Sequence, residues 1–133
     1  MMKFDEILKD RILVLDGALG TMIQKLKFKE EDYRGREFIH HPHPVAGFND
    51  LLNLSKPSAI IDIHTQYLEA GANILTTNTF NSNSISMKDY GLDVIPGLVK
   101  KLNKEGDQLL EQNKEQAEET YRYYESLQGT VKE

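Results

Sequence analysis

The sequence predicts an α/β fold that begins with one βαβ unit and continues into a long helical segment. Two short runs, residues 12–15 (ILVL) and 73–79 (NILTTNT), have the composition of strands. Between them lies a segment with helical spacing of apolar residues, long enough to connect two parallel strands. Residues from 98 to about 127 again have helical spacing. These observations predict a parallel strand pair with a crossover helix and a helical tail.

The composition excludes several classes of function. The chain has 133 residues, a formal net charge of -5 and no cysteine. It therefore holds no disulfide, no cysteine nucleophile and no thiolate metal site of its own. No clustered lysines and arginines suggest a nucleic-acid partner, and no apolar run has the length of a membrane span. We expect a cytoplasmic protein with neither a nucleic-acid nor a membrane partner.

The N-terminal elements follow from local patterns. Phe4, Ile7 and Leu8 have helical spacing and predict a short opening helix over residues 3–9. Residues 12–15 are apolar on both faces, which is typical of a buried parallel strand covered by helices. The glycines that follow predict a tight turn, and helical spacing resumes over residues 21–26.

A long irregular connection over residues 27–53 contains three histidines, His40, His41 and His43, with two prolines between and after them. Neutral imidazole is a good ligand for zinc, copper or nickel, so a metal site is one interpretation. The spacing matches no recognisable ligand set, and a solvated loop is the favoured interpretation.

The crossover helix is predicted to begin near Ser55, with Pro57 in its first turn, and to end at Gly71. His64 lies on its apolar stripe, where we expect a hydrogen-bonded core histidine. The other members of that stripe are Ile60, Ile61, Ile63, Tyr67 and Leu68.

The C-terminal part is predicted to be mostly helical. A polar loop over residues 81–84 precedes a short helix at 85–90, and helical spacing resumes after Pro96 and Gly97. The tail is either one long solvated helix or two helices broken near Gly106. The aromatic group at residues 121–124 is more consistent with packing on another helix or subunit than with stacking on a nucleic acid.

The first candidate site is the turn over residues 16–21 (DGALGT), after the first predicted strand. α/β folds place ligands at the carboxyl ends of parallel strands, where glycines let backbone N–H groups approach a substrate. Asp16, Gly17 and Ala18 are the candidate binding residues. The alternative is a plain strand-to-helix turn in which Asp16 caps the helix.

The second candidate site lies at the same end of the second predicted strand. Thr77, Asn78 and Thr79 offer hydroxyl and amide groups, and Phe80 can form a wall of the pocket. Because parallel strands end at the same edge of a sheet, we expect both groups to line one mouth. The alternative is that these groups only close the end of the strand.

Residues 11–24 (RILVLDGALGTMIQ) closely resemble the start of the homocysteine-binding module of the cobalamin-dependent methionine synthases. The likeness continues in order through residues 32–38, 49–57, 67–74, 77–82 and 87–90. It covers about two thirds of the chain, from residue 7 to residue 90, and becomes faint from Asp93 onward.

The resemblance implies a (β/α)8 barrel that transfers a methyl group to the thiol of homocysteine. The family uses methylcobalamin as donor, and a zinc ion on three cysteines to activate the thiol. The resemblance thus predicts a partial (β/α)8 TIM-barrel fragment with about two parallel strands. Residues 1–95 would begin the homocysteine-binding barrel, and residues 96–133 would form a charged helical tail packed on that unit or on a partner chain.

Carried over by position, Asp16 and the backbone at Gly17 and Ala18 would hold the amino-acid end of homocysteine. Thr77 would be a second contact, with Phe80 shaping the pocket. Asn78 and Thr79 would support these residues.

The chain departs from the family pattern because it has no cysteine for zinc. We therefore expect no catalytic residue, no zinc and no cobalamin in this chain. The prediction is a fragment or truncated relative of the methyltransferase, inactive alone, whose open sheet edge is covered by a second copy or by the remainder of the barrel. The alternative is a stand-alone, non-catalytic module that binds a small molecule or a protein.

Overall fold

The structure is a computed structural model that describes residues 4–113. In chain order, the α-helices of these residues are α1 (Phe4–Asp10), α2 (Leu19–Lys25), α3 (Glu30–Arg34), α4 (Leu52–Ser55), α5 (Pro57–Glu69), α6 (Ser84–Met87) and α7 (Leu98–Glu111). Short 3-10 helices occupy Asn49–Leu51 and Lys88–Tyr90. The helix α7 packs against α4 and α5, and this group forms the centre of the molecule.

The predicted α/β fold, a partial (β/α)8 barrel with two parallel strands, is wrong for the part of the chain that the structure describes. Residues 4–113 contain helices and loops but no sheet, and the two predicted strands meet at an isolated parallel bridge between Leu15 and Ile74. Around it, Asp16 N donates to Ile74 O at 2.8 Å, and Val14 O accepts from Asn73 N at 2.7 Å.

Side chains explain why this pairing does not extend. Val14 N donates to Oδ1 of Asn73 at 3.0 Å, and Thr76 N donates to Oδ2 of Asp16 at 2.9 Å. At each end of the bridge a side-chain oxygen thus takes an N–H group that a longer ladder would have paired with main chain. Asp and Asn side chains commonly compete with secondary structure in this way.

The first predicted strand is also not buried. Ile12 is 88% exposed, Val14 53% and Leu15 56%. A run that is apolar on both faces is buried when other elements cover both faces. Within residues 4–113 no element covers both faces of this segment, and its apolar side chains therefore stay exposed although their composition predicts burial.

The core lies instead between the loop that follows α3 and the helices α4, α5 and α7. Its largest fully buried side chains include Phe48, Leu52, Ile60, Met87 and Leu102. The crossover helix is confirmed as α5, with Pro57 in its first turn and Gly71 at a positive φ of 102° just beyond its end. Ser55 does not cap it, because Lys56 occupies the N-cap position.

The connection predicted to be irregular contains α3, the Asn49–Leu51 helix and α4, and Arg34 organises its loop. The guanidinium donates to the carbonyl oxygens of Phe38, His41 and His43 at 2.7–3.0 Å. His41 Nε2 is 2.8 Å from the carbonyl oxygen of Tyr90. Among the described residues no group of three or more His, Cys, Asp or Glu side chains could hold a metal ion.

The predicted helical tail is confirmed as far as Glu111, and it runs through Gly106 as one helix. The remainder, including the aromatic group at residues 121–124, lies outside the described residues. The division into segments 1–95 and 96–133 stays a prediction. In residues 4–113 no helix is both long and apolar enough to cross a membrane.

Candidate functional site

A cavity of about 550 Å³ lies where the DGALGT turn faces the segment after the bridge. Gly17, Leu19 and Gly20 line it from the turn and the start of α2. Asn49 and Asp50 line it from the 3-10 helix, and residues 76–81 complete the lining. Gly17 of the first candidate site and all four residues of the second therefore line one cavity, although no sheet brings them together in the described residues.

Gly17 allows the turn to approach α5 closely. A Cβ atom at this position would lie 3.1 Å from the Tyr67 ring and its hydroxyl oxygen. That is tighter than ordinary van der Waals contact, so a side chain here would push the ring away. The glycine thus keeps the turn close to α5 and leaves its own backbone on the cavity wall.

Asp16 does not line the cavity, and neither does Ala18. The Asp16 carboxylate accepts hydrogen bonds from Thr76 N at 2.9 Å and from Thr76 Oγ1 at 3.0 Å. Burial raises the pKa of Asp16, and the hydrogen bonds from Thr76 oppose that shift. The alternative in which Asp16 caps the helix is wrong, because Ala18 occupies the N-cap of α2 and makes no side-chain cap bond.

Thr77 and Thr79 present a pair of hydroxyl groups on the cavity wall. Their Oγ1 atoms lie 2.6 Å apart, so one hydroxyl donates to the other, and either of them can be the donor. Both side chains are half-buried, and both line the cavity. Such a pair can donate one further hydrogen bond to a ligand oxygen.

Asn78 is a scaffold residue of the site. Its amide Nδ2 donates to Asn49 O at 2.9 Å and to Asn53 Oδ1 at 3.0 Å. Asn53 Nδ2 returns a bond to Asn78 O at 2.8 Å. Asn53 and Asn78 are both buried, so these bonds fix the segment 76–81 against α4.

Phe80 projects into solvent at the mouth, with 92% of its surface exposed. It lines the cavity but does not enclose it within the described residues. The predicted role of Phe80 as a wall of the pocket requires a cover that residues 4–113 do not supply.

Asp50 is the functional candidate that sequence reasoning missed. It is 1% exposed, and its Oδ2 accepts from Asn81 N at 2.9 Å and from Ser82 Oγ at 2.6 Å. Burial raises the pKa of Asp50, and these hydrogen bonds oppose that shift. The available signal was a charged residue directly before the apolar pair Leu51 and Leu52, inside one of the matched blocks.

The zinc site of the family does not fit the residues of this chain. The sequence has no cysteine, and the described part of the chain has no cluster of three metal-ligating side chains. The cavity offers carboxylate, hydroxyl and amide groups, which suit a small polar ligand rather than a metal-activated thiolate.

Comparison with known proteins connects this cavity to a reaction class. The family model described as homocysteine S-methyltransferase matches residues 13–131, which is most of the chain. The match includes both the DGALGT turn and the segment 76–81 that faces it. The chain therefore belongs to the homocysteine S-methyltransferase family.

Proposed function

We propose that this chain contributes part of the homocysteine site of a methyltransferase of the cobalamin-dependent methionine synthase type, and that it does not transfer a methyl group by itself. The observation that carries the proposal is the cavity between the DGALGT turn and residues 76–81. It combines hydrogen-bond donors for a carboxylate with a carboxylate for an ammonium group. Family membership supplies homocysteine as the ligand that carries both groups.

The binding role follows from the chemistry of the lining. The backbone at Gly17 and the hydroxyl pair of Thr77 and Thr79 are suited to the ligand's carboxylate. Asp16 acts indirectly, because its carboxylate holds Thr76 and so sets the path of the chain into Thr77. The residues that line the cavity include no histidine, lysine or cysteine that could take the thiol proton.

Methyl transfer needs a thiolate nucleophile. In the proposed enzyme, zinc and cobalamin are bound by residues other than those of this chain. The chain orients homocysteine, and the activation of the thiol takes place on parts of the enzyme outside it.

We further propose that additional polypeptide covers the apolar residues 12–15 in the working enzyme. Ile12 is 88% exposed and Val14 is 53% exposed, and each would lose contact with water under such a cover. The cover is either a second copy or further residues of the enzyme.

Calorimetric titration with homocysteine tests the binding role. We expect saturable binding that Thr77→Ala weakens by about tenfold, which corresponds to one lost hydrogen bond to a charged group. Exposed Ser58, on the first turn of α5, provides a control in Ser58→Ala. Absence of binding by the unsubstituted chain contradicts the proposal and favours the non-catalytic module.

A methyl-transfer assay tests the second part of the proposal. The purified chain is supplied with homocysteine, methylcobalamin and zinc, and methionine is measured. We expect no methionine above the rate without protein, because the thiolate ligands for zinc are absent from the sequence. Sustained turnover by the chain alone would refute this expectation.

A further inference from the structure

We propose that Asp50 binds the ammonium group of the amino-acid ligand and selects for ligands that carry one. This inference rests on the proposed function, because it assigns one end of the homocysteine ligand to a named residue. It concerns a side chain outside the DGALGT turn and outside the Thr77–Thr79 pair.

Asp50 is a buried carboxylate that hydrogen bonds stabilise but that has no cationic partner among the described residues. It is 1% exposed, and no lysine, arginine or histidine forms an ion pair with it in the part of the chain that the structure describes. A buried carboxylate without a cationic partner is costly unless hydrogen bonds or a bound cation compensate it. Asn81 N and Ser82 Oγ both donate to one oxygen, Oδ2. An ammonium ligand would supply the missing positive charge.

The position of Asp50 also supports contact with a ligand, because Asp50 lines the cavity. Asp16, the other carboxylate nearby, is outside the lining, and its two oxygens accept hydrogen bonds from Thr76. Between the two, Asp50 is the carboxylate that a ligand in the cavity can contact. The hydroxyl groups of Thr77 and Thr79 lie on the same cavity and provide for the ligand's opposite charge.

Binding of a cation at Asp50 would also change its protonation. Burial raises the pKa of Asp50, whereas a bound ammonium group favours the ionised form and lowers it. Near the raised pKa of Asp50, part of the protein carries a proton on this carboxylate. Homocysteine binding is expected to release that proton. A ligand without the amino group brings no cation to Asp50 and is not expected to release this proton.

The experiment compares homocysteine with 4-sulfanylbutanoate, the same molecule without its amino group, by calorimetry at neutral pH. We expect the unsubstituted chain to prefer homocysteine by about 10- to 100-fold, as for a charge-assisted hydrogen bond. Asp50→Asn keeps the shape of the side chain and removes its charge. In this variant we expect the preference to fall to less than about twofold.

Ser82→Ala is the matched control, because it removes one hydrogen bond to Asp50 and keeps the carboxylate. We expect it to preserve the preference even if both affinities decrease. A purely structural role of Asp50 would weaken both ligands equally in Asp50→Asn, and an unchanged ratio would overturn the inference. Loss of the preference in Asp16→Asn but not in Asp50→Asn would overturn it as well.

Proton release provides a second measurement with homocysteine alone. Titrations of the unsubstituted chain and of Asp50→Asn, over a series of pH values and in two buffers of different ionisation enthalpy, give the number of protons released. Toward acidic pH we expect more protons released by the unsubstituted chain than by Asp50→Asn, and equal release contradicts the inference. Failure of the unsubstituted chain to bind homocysteine removes the proposed function and this inference together, whereas binding without the preference removes only the inference.

Discussion

Individual residues show what the sequence could predict about the site. The convergence of Gly17 with Thr77 and Thr79 was predictable, because both groups follow segments that pair in parallel at Leu15 and Ile74. The role of Asp50 was not, because its importance depends on burial and on contacts with Asn81 and Ser82, far along the chain. Sequence patterns report local periodicity and carry no information about such contacts.

His64 was predicted to be a hydrogen-bonded core histidine. Its place in the core is confirmed, and the predicted hydrogen bond is wrong for the described residues. The side chain is fully buried, but neither ring nitrogen has a hydrogen-bond partner in the described part of the chain. Burial lowers the pKa of His64 from 6.5 to about 4, because the apolar surroundings disfavour the charged ring.

The lowered pKa of His64 predicts a pH-dependent stability. The unfolded chain binds a proton as the pH falls below 6.5, while the folded chain resists protonation until about pH 4. The stability due to neutral His64 is thus complete above pH 6.5 and is lost as the pH falls toward 4. Between pH 7 and pH 4.5 we expect the loss to be about 2 kcal/mol.

Urea unfolding of His64→Leu at the two pH values measures this effect. We expect the variant to lack that loss, and to be more stable than the unsubstituted chain because it no longer buries unpaired nitrogens. His40→Gln, at an exposed position, is the control variant. If His64→Leu and the unsubstituted chain show the same pH dependence, His64 is not the group responsible.

At the scale of elements, helix prediction succeeded where apolar spacing continued and failed where side chains competed with the backbone. The helices α5 and α7 were predictable from periodicity, and both pack in the core. The predicted strands failed because Asn73 and Asp16 take the N–H groups that would extend the bridge. Such competition depends on the side-chain geometry of both segments, which strand propensity does not contain.

Gly106 shows why a residue that commonly interrupts a helix need not do so. A Cβ atom at this position would lie 2.5 Å from Cγ2 of Thr79 and 3.3 Å from Nδ2 of Asn53. The glycine therefore lets α7 rest directly on the segment that lines the cavity. Close packing offsets the low helix propensity of glycine.

This contact predicts that Gly106→Ala destabilises the protein although alanine favours helices. We expect a net loss of about 1 to 2 kcal/mol, since overpacking outweighs a gain in helix propensity of about 1 kcal/mol. Adding Thr79→Ser removes the clashing methyl group and should restore most of the stability. Thermal unfolding measures both variants, and Lys104→Ala, at an exposed position of α7, is the control. A stabilising Gly106→Ala would show that the contact is loose.

At the scale of the whole molecule, the apolar segment 12–15 is the largest departure from the predicted fold. Ile12 and Val14 were expected to be buried, and both are more than half exposed. Composition predicts that a segment will be covered, but it does not identify the element that covers it. Whether a second copy or further residues of the enzyme cover residues 12–15 is therefore decided by how the chain assembles with other polypeptide.

The exposed segment predicts self-association of the isolated chain. We expect light scattering to detect dimers or larger oligomers at micromolar concentration, because contiguous exposed apolar side chains favour association. Ile12→Lys combined with Val14→Lys should convert the sample to monomers. Ile39→Lys, at a residue that is 61% exposed elsewhere on the surface, is the matched control. A monomeric unsubstituted chain would contradict this prediction.

The contact at Gly106 has a consequence for the order in which the protein acquires its site during synthesis. All the residues that line the cavity leave the ribosome before α7. Thr79 and Asn53, however, pack against Gly106 of that later helix. A nascent chain that ends before residue 106 lacks this support. Competence to bind a ligand is therefore expected to arise late in translation, after the cavity-lining residues have all been synthesised.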